Sequence, residues 1–274
     1  MTLNRAGFLR RPDCRIYYEV AGSGPPLVFA HGLGGNHMSW WQQVPHFAKS
    51  HTCVVFAHRG FTPSGAVPGS SAPDAYVDDL AALIDELKLD GVTLVAQSMG
   101  GWTCLGYALR QPSKVRALVM ACTAGPINCS NLDGLSTHFT DWLARSQKTT
   151  ADLEARDISV ASGERMEREQ PALARLYRQI TALASAEFRS AVRVRLRELW
   201  VQSPAVLSSL TMPVLFINGD EDCVFPPFAG AALAALAPNG KAVRVPHAGH
   251  SVYFERAPEF NRIVGEFLAT NLRK

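Results

Sequence analysis

Short, dominantly apolar runs alternate with amphipathic stretches along most of this 274-residue chain, and that alternation limits the fold more than any other feature. Leu27–Ala30, Thr52–Ala57, Val92–Ala96, Val115–Ala121 and Pro213–Asn218 have the near-continuous apolar character of strands covered on both faces. Between two of them, Val77, Leu80, Ile84 and Leu87 recur at helical spacing while Asp78, Asp79, Asp85 and Glu86 fall off the stripe, which predicts a crossover helix. Further helices are expected from Trp102 to Arg110, Ala229 to Leu236 and Pro258 to Leu272, with a last strand at Lys241–Val245. Repeated strand–helix units of this kind specify an α/β fold with a doubly wound, mostly parallel sheet.

Two regions break the rhythm. Arg15–Val20 reads as a strand closed by the turn-like Ala21-Gly22-Ser23-Gly24-Pro25-Pro26, which predicts a first hairpin there. From Pro126 to Ser209 the strand runs vanish and three helical stretches replace them, around Phe139–Leu143, Pro171–Leu183 and Phe188–Trp200. The expected organisation is therefore a core of residues 1–125 and 210–274, carrying a helical cap insertion over 126–209. The cap helices also offer a surface for a homodimer. Hydrophobic residues make up 47% of the chain, enough to fill one core of this size.

Charge and cysteine usage exclude several function classes. A net charge of +3 is mild, and the densest arginines, in Arg193-Val194-Arg195-Leu196-Arg197-Glu198, are interleaved with apolar and acidic residues, so no nucleic-acid partner is expected. No apolar run is long enough to span a bilayer, and the first eleven residues lack a secretory pattern. Six cysteines without metal-type spacing, mostly among apolar neighbours, fit a reducing cytoplasm. Neither a metal-ligand cluster nor a phosphate or dinucleotide loop is recognisable, so no metal and no cofactor are expected.

The chemistry-bearing motif is Val95-Ala96-Gln97-Ser98-Met99-Gly100-Gly101, which follows a strand and opens a helix. A serine on such a turn holds strained backbone geometry with its hydroxyl exposed, and small residues two positions either side let strand and helix approach. Ala96 stands where glycine is more usual. The helix that starts after Ser98 aims unpaired N–H groups at the reacting centre, so the Met99 amide is the expected first oxyanion donor. The glycine-rich loop His31-Gly32-Leu33-Gly34-Gly35, directly after another strand, supplies the second, assigned to the Leu33 amide.

These motifs resemble the α/β-hydrolase family, with its His-Gly oxyanion loop, its nucleophile elbow and its order of serine, acid and histidine. The likeness covers nearly the whole chain outside the insertion. It implies an eight-stranded sheet and a Ser-His-Asp triad, because a serine hydroxyl needs an imidazole to take its proton and a carboxylate to fix that imidazole's tautomer. Of eight histidines, His250 lies where the family places its base, with His247 as the alternative. The family's glycine-x-x-aspartate pattern selects Asp222 from Gly219-Asp220-Glu221-Asp222, leaving Asp220 and Glu221 as solvated loop acids. A second family position for the acid, after the strand before the insertion, reads Ala121-Cys122-Thr123 and holds no carboxylate.

The loop Ala57-His58-Arg59-Gly60-Phe61-Thr62-Pro63-Ser64 departs from the family's Asp-x-Arg-Gly-x-Gly-x-Ser at Ala57 and Thr62. Trp40, Trp41, Trp102, Phe61 and Phe225 are the aromatics expected near the pocket mouth. The function these residues imply is hydrolysis of a small, largely apolar carboxylic ester through an acyl-enzyme. Two alternatives share the site: cleavage of a carbon–carbon bond in a diketone or vinylogous keto acid, or of a lactone, and slow-turnover ligand reception on the same fold. Ser251, where ring-fission relatives usually carry tryptophan after the histidine, places the carbon–carbon reading second.

Overall fold

A computed structural model describes residues 3–65, 72–132 and 136–271 of the chain. In chain order the first strands are β1 (Leu3–Arg10), β2 (Arg15–Ala21) and β3 (Pro26–Ala30), followed by α1 (Gln43–Phe47) and β4 (Thr52–Phe56). Then come α2 (Tyr76–Glu86), β5 (Val92–Gln97), α3 (Gly100–Arg110) and β6 (Val115–Ala121). The insertion holds α4 (Ser136–Ala155), α5 (Gly163–Glu169), α6 (Pro171–Thr181) and α7 (Ala186–Glu198). The chain closes with β7 (Val214–Gly219), α8 (Ala229–Leu236), β8 (Gly240–Val245), α9 (Val252–Glu255) and α10 (Ala257–Asn271).

The eight strands form one sheet in the order β1-β2-β4-β3-β5-β6-β7-β8, antiparallel at its first two junctions and parallel from β4 to β8. The doubly wound α/β architecture is therefore present. The first hairpin is not where the turn at 21–26 suggested. β2 pairs with β1 through a turn in which the Arg11 amide donates to the Cys14 carbonyl, and β3 pairs in parallel with β4 and β5 instead. β1 is an edge strand with arginines along it, Arg5 lying 5.3 Å from the Tyr18 ring, and a solvated edge of this kind leaves little apolar periodicity to read.

Every residue of β5 is buried, yet its side chains still divide by pleat. Val92, Leu94 and Ala96 join a layer with Leu80 and Ile84 of α2, Leu105 of α3 and Leu233 of α8, while Val95 joins Phe29, Val119 and the α10 residues Phe260 and Phe267 on the opposite face. Two apolar layers thus clamp the central strands, and the carboxyl ends of β3, β5, β7 and β8 open onto one edge. The insertion contains four helices where the periodicity suggested three, because α5 is short and charged and carries almost no stripe; α4 is also far longer than the Phe139–Leu143 window. Among the described residues, no helix is long and apolar enough to cross a membrane.

A charged network enters the core. Arg59, at the turn after β4, forks onto both oxygens of Asp79 in α2 at 2.7 Å each, and also reaches Asp13 at 2.6 Å. Arg11 joins Asp79 at 2.9 Å. Both members of the central pair are almost fully buried, so loss of either strands a desolvated charge. Asp79→Ala is expected to lower unfolding free energy by about 3 kcal/mol in denaturant melts, whereas removing the half-exposed Asp13 should leave the melt nearly unchanged.

Candidate active site

β5 ends at Gln97, and Ser98 turns the chain into α3 with φ at +48°, a left-handed conformation rare for a residue with a side chain. Its amide donates to the Ala121 carbonyl of β6 at 3.1 Å, and its carbonyl accepts the Gly101 amide at 2.8 Å, so the turn is held from both sides. Small neighbours are required. A Cβ on Gly100 would meet the Ala30 carbonyl oxygen at 2.2 Å, and one on Gly101 would meet the Thr123 hydroxyl at 2.4 Å.

The His31–Gly35 loop lies directly against this turn. A Cβ on Gly32 would fall 3.1 Å from the Ser98 Cβ and 1.9 Å from Gln97 Oε1, so only glycine fits there. His31 braces the loop from inside: Nδ1–H donates to the Gly32 carbonyl at 2.8 Å, and Nε2 accepts the His58 amide at 3.0 Å. That pattern requires the neutral ring, and burial pushes the His31 pKa down to about 3. His58 is also buried, its Nε2 2.9 Å from the Thr103 hydroxyl, with its pKa held well below the ordinary value by desolvation and then by His31. Of the two departures from the family loop, Ala57 is completely buried, and the Thr62 hydroxyl donates to the Leu183 carbonyl of the insertion at 3.0 Å.

His250, after β8, places Nε2 at 2.9 Å from Ser98 Oγ and Nδ1 at 2.9 Å from Asp222 Oδ2. An ionised carboxylate only accepts, so Nδ1 carries the proton, and Nε2 is left to accept from the serine hydroxyl. The second oxygen of Asp222 takes the Val224 and Phe225 amides at 2.7 and 2.9 Å, which fixes the carboxylate in a fully buried setting. His247 has a side chain 70% exposed and lies 3.7 Å from Glu221, away from the serine. Asp220 and Glu221 pair with Arg244 and Arg165 at the surface.

The pocket aromatics separate into four groups. Trp40 does not line the mouth as expected: it is completely buried, with ring centres 5.1 Å from Phe29 and 4.5 Å from Tyr253, because the turn it sits on folds its ring back over the sheet. Trp41 is half exposed against Phe254. Phe225 is buried in the layer that contains α8, and contributes its amide to Asp222. Phe61, Trp102, Leu33 and Met99 share one apolar cluster with Phe188, Val192 and Leu196 of α7.

Several residues at the site carried no sequence signal. Gln97 bridges the turn to the base, its amide nitrogen donating to the His250 carbonyl at 3.2 Å. Tyr177 and Thr181 of α6 reach both loops: the Ser251 hydroxyl donates to Tyr177 Oη at 3.0 Å, and the Thr181 hydroxyl donates to the Gly34 carbonyl at 2.8 Å. Trp142 of α4 donates to the Asp222 carbonyl at 3.3 Å. Cys122 Sγ lies within 4.8 Å of ligand atoms of Asp222 and His250, a trio with metal-ligand chemistry. Both Asp222 oxygens and both His250 nitrogens are already engaged, however, and burial raises the thiol pKa well above its usual value.

Residues 25–257 match the family described as alpha/beta hydrolase fold. The chain is 30% identical to a 2-hydroxy-6-oxo-2,4-heptadienoate hydrolase of Pseudomonas putida over 90% of each chain. It is 28% identical to a 2-hydroxymuconate semialdehyde hydrolase of Pseudomonas sp. strain CF600, over 93% of this chain and 90% of that one. Its fold is similar to that of a thermophilic esterase from Thermogutta terrifontis, with a TM-score of 0.77, 22% identity and coverage of 97% and 98%. A match across most of the chain, on a sheet of this order, establishes that the chain belongs to the alpha/beta hydrolase family.

Proposed function

We propose that this protein is a serine hydrolase that cleaves a small, largely apolar carboxylic ester through an acyl-enzyme, with Ser98, His250 and Asp222 as its catalytic residues. The observation that carries this reading is the unbroken chain from Ser98 Oγ through both His250 nitrogens to Asp222, each link 2.9 Å, starting from a serine in left-handed geometry. His250 takes the serine proton as Oγ attacks the carbonyl, and Asp222 steadies the imidazolium that forms. The Met99 amide at the start of α3 and the Leu33 amide in the adjoining loop receive the oxyanion. His250 then protonates the leaving alcohol and later activates the water that releases the acid.

The apolar cluster of Phe61, Trp102 and Phe188 beside Met99 supports a hydrocarbon-rich acyl or alkyl group. A second reading, hydrolysis of a carbon–carbon bond in a vinylogous diketo acid, draws on the named activities of the two Pseudomonas relatives. The same triad serves both, and Ser251 after the base keeps the ester reading first. A panel of short-chain esters, lactones and diketo acids separates them by relative kcat/KM; a diketo acid turned over far faster than every ester would reverse the order.

A fluorophosphonate probe is expected to label the native protein at Ser98 and to leave Ser98→Ala unlabelled, while ester turnover falls by roughly 10³-fold or more. Absence of labelling in the native protein would refute the hydrolase reading and favour ligand reception. Asp222→Asn, which keeps the shape but permits the wrong imidazole tautomer, is expected to lower kcat by roughly 10³- to 10⁴-fold with KM little changed.

A further inference from the structure

The loop that carries the base is held almost atom by atom. Arg256 Nε donates to the His247 carbonyl at 2.8 Å, and the Glu221 amide donates to the Ala248 carbonyl at 2.8 Å. The Cys122 thiol faces the Gly249 carbonyl at 3.9 Å, and Gln97 takes the His250 carbonyl. The Gly249 amide, one residue before the base, donates to Glu255 Oε1 at 2.7 Å. Glu255 is the only side-chain carboxylate among these partners, and it is 5% exposed. Its own carbonyl accepts from Gln170 Nε2 at 3.1 Å, at the junction between α5 and α6, so it is anchored to the insertion as well as to α9.

Glu255 also lines a crevice of about 300 Å³ whose walls include Arg165, Arg168, Glu221 and Gly249. We propose that Glu255 is a positioning residue for His250: its carboxyl fixes the Gly249 amide and thereby the reach of Nε2 to Ser98. This assignment rests on the reading of His250 as the base. Glu255 makes no contact with Ser98 Oγ, so its effect passes through the loop backbone.

The charged and titratable groups around it come from several elements: Arg256 beside it, Glu221, Asp222 and Cys223 after β7, Cys122 after β6, Tyr177 of α6, Glu164, Arg165 and Arg168 of α5, and, across the crevice, Asp152 of α4 and Arg156 just after it. Burial, reinforced by Asp222 and Glu221 and opposed by the Gly249 amide and Arg256, raises the Glu255 pKa to about 8. The carboxyl is therefore neutral at pH 6.5 and ionises through pH 8. Ionisation adds a negative charge next to the His250–Asp222 pair, which favours the imidazolium of the transition state, so the rate rises through that interval.

Glu255→Gln keeps an acceptor for the Gly249 amide and removes the charge; Glu255→Leu removes both. With an ester substrate at pH 6.5, Glu255→Gln is expected to keep kcat within about threefold, while Glu255→Leu loses roughly 30- to 100-fold in kcat with KM nearly unchanged. Between pH 7 and 9 the native kcat is expected to gain a step on the order of threefold that Glu255→Gln lacks. The downfield Nδ1–H proton resonance of His250 should persist in Glu255→Gln and broaden away in Glu255→Leu, a readout independent of turnover. Should Glu255→Leu fail to fold, Glu255→Ala, which also lacks an acceptor for the Gly249 amide, is read by the same kcat and resonance. A folded Glu255→Leu or Glu255→Ala with native kcat and an unaltered resonance would overturn the assignment. An unlabelled Ser98 alongside the expected resonance changes would instead refute the hydrolase reading and leave Glu255 as the residue that positions His250.

Discussion

The left-handed backbone at Ser98 is the constraint from which the rest of the site follows. An L-residue in this region is disfavoured by roughly 1–2 kcal/mol, so the turn persists only because its surroundings over-determine it. The Ala121 carbonyl of β6 takes its amide, the first turn of α3 takes its carbonyl, and β5 beneath it is buried along its whole length. Glycines at 32, 100 and 101 exist because the neighbouring backbone and side-chain atoms come too near for a Cβ. The exposed hydroxyl, the direction of the α3 amides and the closeness of the His31–Gly35 loop are consequences of one strained turn.

The insertion contributes more than a roof. Thr181 of α6 holds the Gly34 carbonyl, Tyr177 accepts from Ser251 next to the base, and Trp142 of α4 donates to the backbone of Asp222. Three loops that come from distant parts of the chain are thereby tied to one helical layer. The apolar cluster of Leu33, Met99, Phe61 and Phe188 joins the same layer to the oxyanion side. A shift of the insertion would act on the His31–Gly35 loop, on Ser251 and on Asp222 together.

Legibility in the sequence tracked the physical origin of each feature. Central strands announced themselves because burial on both faces demands continuous apolar residues, and Ser98, Asp222 and His250 stood out because strand ends, glycines and spacing mark them. Edge strand β1 and short α5 were missed because solvated elements carry weak periodicity. Trp40 was misplaced since an aromatic looks the same whether it faces a pocket or, as here, Phe29 and Tyr253. Gln97, Tyr177 and Glu255 were invisible for a different reason: each acts through a hydrogen bond to a residue far along the chain or to backbone, and neither leaves a local pattern.

The sequence by itself determined the α/β sheet and marked Ser98, Asp222 and His250, because these depend on local periodicity and on motifs read within a few residues. Only the tertiary structure decided that Ser98 Oγ, His250 and Asp222 meet at 2.9 Å, that His58 lies under the site, and that Glu255 grips the loop of the base. Those facts depend on the packing of β5, β6, β7 and β8 side by side and on helices that cross them. The Ser98–His250 contact spans 152 residues, His58–Thr103 spans 45 and His250–Asp222 spans 28, and such contacts are set by packing rather than by any local pattern.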